Sequence, residues 1–261
     1  HYGPRPGRRQ QRGGSPVMAV IGSIARRELR SYFATPLAYV FIVIFLALTG
    51  LFTFYLGGFY ERGQADLAPF FNFHPWLYLF LVPAIAMRLW SEERKSGSVE
   101  LLMTLPVTLW QAVLAKFLAA WLFIAAALAL TFPIWLTVNY LGDPDNGVIV
   151  AAYIGSLLMA GGFLAIGSCI SAANRNQVVA FIITVVICFV FMLAGFPLVL
   201  DLFSGWLPGP LLDAVASLSF LTHFTAISKG VLDVRDVLYF LLVIGVWLVA
   251  TTIVLDLKKA N

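Results

Sequence analysis

Glu92, Glu93, Arg94, Lys95 and Glu100 crowd into the run SEERKSGSVELLMTLP at residues 91–106, between two long apolar segments. Residues so polar cannot stay in hydrocarbon, so the run must sit in water beside a membrane, where its chemistry is recognition of a partner. Gly97 permits a tight turn, Ser98 is a plausible N-cap, and Glu100 falls in the favourable first turn of a short helix. Val99, Leu101, Leu102 and Leu105 give that helix an apolar stripe before Pro106 stops it. Thr108 and Gln111 then read as a capping box that starts the next helix. A merely solvated turn would need neither the stripe nor two sets of caps. The spacing predicts a docking helix.

Other reactive residues are sparse. His74 and His223 are the only histidines outside the N-terminal tail, and a metal site built on them needs a further ligand, so both are expected to be lone interfacial side chains. No GxxxxGK[ST] phosphate loop is present, so no nucleotide is held by that route. Carboxylates are nearly missing from the apolar segments, which disfavours a proton- or sodium-coupled transporter. Cys169 and Cys188 lie inside apolar segments and read as packing residues. Two further classes stay open. One is a membrane-embedded enzyme using His74 or His223 with Asp66 or Asp213; the other is a non-transporting membrane anchor for a cytoplasmic partner.

The elements that must position these groups follow from composition. Of 261 residues, 61% are hydrophobic and 11% charged, where a soluble domain has about 25% charged. With a mean hydropathy of +0.90, the chain is an all-α integral membrane protein. Residues 1–18 form a basic Gly/Pro/Arg tail, expected to be disordered and more suited to anionic lipid than to nucleic acid. No cleavable signal peptide is evident in it. Residues 19–34 predict an amphipathic helix in the membrane interface, with Arg26, Arg27 and Arg30 on its polar face. Six spans are predicted at 37–57, 67–90, 110–138, 148–170, 178–200 and 237–255. The second carries Pro83 and Arg88, with Arg88 expected to snorkel; the third is overlong, so its first turns with Lys116 should project below the bilayer. Arg and Lys concentrate at 26–30, 94–95, 175 and 258–259, which puts both termini and the 91–106 run in the cytoplasm. On the outer side, 208–230 is too short to cross twice and predicts a re-entrant pair turning near Ser217–Ser219; Asp233 then caps the last span.

At this point the chain resembles a known family. ERKSGSVELLMTLPVT is similar to the signature of the type-two ABC exporter permeases, and MRLWSEE with FLTHFTAISKGVLDVRDVLYF resembles the gliding-motility branch. The likeness covers essentially Met18 to the C-terminus. It implies a transmembrane permease subunit in the bacterial inner membrane, with 91–106 as the coupling helix. Glu92, Glu93, Gly97 and Glu100 match the family pattern; Ser98, Leu101 and Leu102 complete the expected ATPase-coupling set. It further implies a separate cytoplasmic ABC ATPase that binds ATP and Mg, and a second permease copy or paralogue. A periplasmic or accessory subunit would fit too. The chain itself would bind no cofactor and have no enzymatic activity.

Overall fold

A computed structural model describes residues 16–96 and 108–259; the tail before residue 16 lies outside the described residues. Helix α1 (Pro16–Ala34) ends at Thr35, whose extended backbone (φ −106°, ψ 147°) is what a following proline demands. Pro36 opens α2 (Pro36–Leu51), which runs on as a π-helical turn at Phe52–Leu56. Next come α3 (Ala68–Phe71), α4 (His74–Ala86) and α5 (Arg88–Ser96). After residues 97–107, α6 (Leu109–Ala129) and α7 (Phe132–Leu141) continue one apolar rod, and α8 (Asn146–Ala173) returns. Helices α9 (Gln177–Leu193), α10 (Pro197–Phe203), α11 (Gly209–Ser217), α12 (Phe220–Ser228) and α13 (Val234–Lys259) complete the described chain.

Five units are long and apolar enough to cross a bilayer: Pro36–Leu56, Ala68–Ser91, Leu109–Leu141, Asn146–Ala173 and Val234–Lys258. The fifth expected span is not one straight helix. α9 stops at Leu193 and α10 leaves it at 85°. Pro197 cannot continue the hydrogen-bond ladder, and Ser219 Oγ donates to Met192 O at 3.0 Å, satisfying a carbonyl that the helix end leaves open. Gly195 allows this approach, since a Cβ there would fall 2.4 Å from Thr222 Oγ1. α9 alone rises about 25 Å, so its bend lies near one surface of the hydrocarbon. α11 and α12 form a second bent pair, at 62°, meeting at Leu218 and Ser219. Among the described residues the count of crossings is therefore five, or up to seven if each bent pair is one.

α8 is the axis of the bundle and packs against α4, α5, α6, α9, α12 and α13. Its small residues make that crowding feasible. A Cβ on Gly167 would lie 2.3 Å from the Cβ of Ala86, so α4 and α8 touch there nearly backbone to backbone. Local caps hold the rods. Asp145 accepts from the N–H groups of Gly147 and Val148 at 3.0 and 3.4 Å, and Asp233 accepts from Arg235 N–H at 3.1 Å.

Candidate functional site

Lys116 sits about two turns into α6, below a start at which Gln111 Oε1 accepts from Thr108 N–H at 3.4 Å. It is only 3% exposed. Its ammonium lies 2.5 Å from Glu93 Oε1 on α5 and 3.3 Å from Glu28 Oε1 on α1, and it donates to Leu89 O at 3.2 Å. All three ammonium donors are thus used. The ring of Trp90 lies 5.1 Å away and adds a cation–π contact. A buried cation without such partners would carry a large desolvation penalty; the two carboxylates offset it. Burial pushes the Glu93 carboxyl above the ordinary range, and Lys116 pulls the other way. Beside the cluster, Tyr32 of α1 stacks on Phe123 of α6 at 5.5 Å. Three elements are locked together here: α5, which carries the start of the 91–106 run, α6, which follows it, and α1.

A hydroxyl makes the second attachment. Ser171 Oγ of α8 donates to Met87 O at 2.9 Å and accepts from the N–H groups of Trp90 and Ser91, each at 3.0 Å. The Ser91 N–H would ordinarily bond Met87 O, four residues back, so the hydroxyl is inserted into the helix ladder. Pro83 has already removed one bond from the turn above. The break between α4 and α5 therefore has two causes, one local and one from α8. Ser91 Oγ in turn donates toward the final carbonyls of α8, 2.7 Å from Asn174 O and 3.0 Å from Ser171 O.

A cavity of ≈ 490 Å³ opens beside the ionic cluster. Val40, Phe41, Ile44, Leu81 and Ile85 form its apolar side, and Glu28, Arg88, Glu93 and Lys116 its charged one. Arg88 is half-buried against it.

Of the residues expected to couple, Glu93 enters the cluster and Glu92 lies on α5. Gly97, Ser98, Glu100, Leu101 and Leu102 lie outside the described residues. The histidines differ from expectation. His74 is fully buried, with Nδ1 2.7 Å from Ser156 Oγ, which also meets Tyr78 OH at 2.6 Å. α8 and the rings of Phe70 and Phe71 cover it, so it is a core residue and not an interfacial one. His223 pairs with Asp236 at 2.6 Å, while Asp66 pairs with Arg62 at 2.9 Å. Among the described residues no group of three His, Cys, Asp or Glu could hold a metal. Sequence reasoning missed Glu28, Lys116 and Ser171. Glu28 carried a signal, being an acid one turn from Ile24 and Tyr32 on the apolar stripe of a basic helix.

These features define a polytopic helical membrane protein whose charged run emerges from an ion-paired clamp. The chain belongs to the ABC-2 transporter family: residues 22–257 match the family described as ABC-2 family transporter protein. No curated protein matches it. It is accordingly the multi-pass membrane component of an ABC transporter, a permease whose family partners a cytoplasmic ABC ATPase.

Proposed function

We propose that the chain is the permease subunit of an ABC exporter of the gliding-motility branch, coupled to its ATPase through residues 91–106. It works as a dimer with a second copy or a paralogue, in the bacterial cytoplasmic membrane, with both termini cytoplasmic. ATP and Mg are held by the ATPase, and the substrate path follows the first, second and fifth spans at the dimer interface. The observation that carries this reading is the Lys116 cluster, which ties Glu93, inside the 91–106 run, and α6, which follows it, to α1. A push on the run reaches α1, α5 and α6 together, and a bundle with two arrangements then converts it into opening. The cavity between the first and second spans supports the path.

Co-purification with the ATPase, and ATPase activity in membranes, test the coupling role. Leu102→Ala removes an interface anchor and should weaken binding by ~2 kcal/mol, more than Arg94→Ala. Glu100→Lys should do further harm by opposing the helix dipole. Normal complex formation and activity in both variants would show that the run is only a turn.

A further inference from the structure

We propose that the groove between α1 and α6 binds an anionic glycerophospholipid of the cytoplasmic leaflet, its acyl chain in the groove and its phosphate at Arg26. The choice of leaflet rests on the orientation proposed above. The groove encloses ≈ 550 Å³, within the roughly 300–1,000 Å³ usual for small-ligand sites. Ala25 and Leu29 wall it on α1, and Leu118, Leu122 and Ala125 on α6. Its one hydrogen-bonding indole is already engaged, because Trp121 Nε1 donates to Leu157 O at 2.9 Å. Gly22 widens it: a Cβ there would meet nothing within 4 Å.

Arg26 is the only charged residue lining the groove. It is exposed, as is Arg30 one turn further along the same side of α1, and neither has an ion-pair partner among the described residues. The groove also fits within one leaflet. Its lining runs from Leu118 to Ala125 along α6, about 10 Å, and from Ile21 to Leu29 along α1, about 12 Å. Half of a bilayer's hydrocarbon is about 15 Å thick. A peptide would bring backbone groups that these walls cannot satisfy. A lipid chain brings none, and a phosphate supplies the negative charge that the two guanidinium groups call for.

Trp121 reports occupancy directly. The full chain is reconstituted in phosphatidylcholine vesicles containing brominated phosphatidylglycerol or, in parallel, brominated phosphatidylcholine. The Trp121 contribution is the difference between wild type and Trp121→Phe. Quenching should favour phosphatidylglycerol, by about fivefold per arginine. Arg26→Gln with Arg30→Gln should abolish that preference, and Gly22→Leu should suppress quenching by both lipids by filling the groove. Millimolar inorganic phosphate should leave the signal unchanged, whereas relief of quenching would identify a free-anion site instead. Equal quenching by both lipids in wild type, or indifference to Gly22→Leu, would overturn the proposal. So would disulfide formation between copies carrying Gly22→Cys, which would make the groove a protein interface. No ATPase is needed, so failure here and failure of the coupling test are separate results.

Discussion

Lys116 of α6 joins α1 and α5 through one side chain. Lys116→Met would leave Glu28 and Glu93 facing each other, 17% and 20% exposed, with no cation between them. Removing one member of a buried ion pair destabilises by about 3 kcal/mol or more, so the melting temperature in detergent should fall clearly. Adding Glu28→Gln and Glu93→Gln should recover most of the loss, because the three residues act as one unit. Glu93 also predicts a pH dependence. A carboxyl raised above its unfolded value stabilises fully while protonated, below the unfolded pKa, and that contribution is lost as pH rises through the folded value. The stability of Glu93→Gln relative to wild type should therefore improve as pH goes from the carboxylate range toward neutrality. A difference moving the opposite way would mean that Lys116 outweighs burial.

At the scale of elements, the joint between α4 and α5 depends on a hydroxyl from a helix far away in sequence. Ser171→Ala would orphan the N–H groups of Trp90 and Ser91 and one acceptor at Met87. Each unsatisfied buried group costs about 1–3 kcal/mol, though the ladder can partly close over the gap. Faster amide exchange should follow at Trp90 and Ser91 ahead of global unfolding, measurable by hydrogen–deuterium exchange. Gly167→Val acts on the same helix contact one turn earlier in α8. Its Cβ would overlap that of Ala86, and overpacking of this kind costs about 1–3 kcal/mol. The variant should insert but melt lower.

For the whole molecule, the asymmetric loops predict which ends face the cytoplasm. Cysteines replacing Glu61 and Asp143, both exposed, should react with an impermeant thiol reagent added outside intact cells. A cysteine replacing Ser96 should stay protected. Cys169 and Cys188 are buried and free, but are removed in the background to keep the readout clean. Labelling at residue 96 would reverse the orientation and, with it, the side on which an ATPase could dock.

What the sequence by itself determined is what depends on neighbours along the chain. Hydropathy marks the apolar rods, and the loop charges predict their sense. Local chemistry marks where helices start: Thr108 with Gln111, and Asp233, use side chains within a turn of the groups they cap. It also predicts a turn near Ser217–Ser219, where α11 and α12 meet. The tertiary structure alone decided which charges meet. Residues 28, 93 and 116 are joined through packing of α1, α5 and α6, and no periodicity in any one of them encodes its partner. The same holds for Ser171 in the α4–α5 joint and for Ser219 closing the end of α9. An apolar segment tells how much surface must leave water, but not which neighbour will cover it, and each polar group inside is settled only when that neighbour arrives.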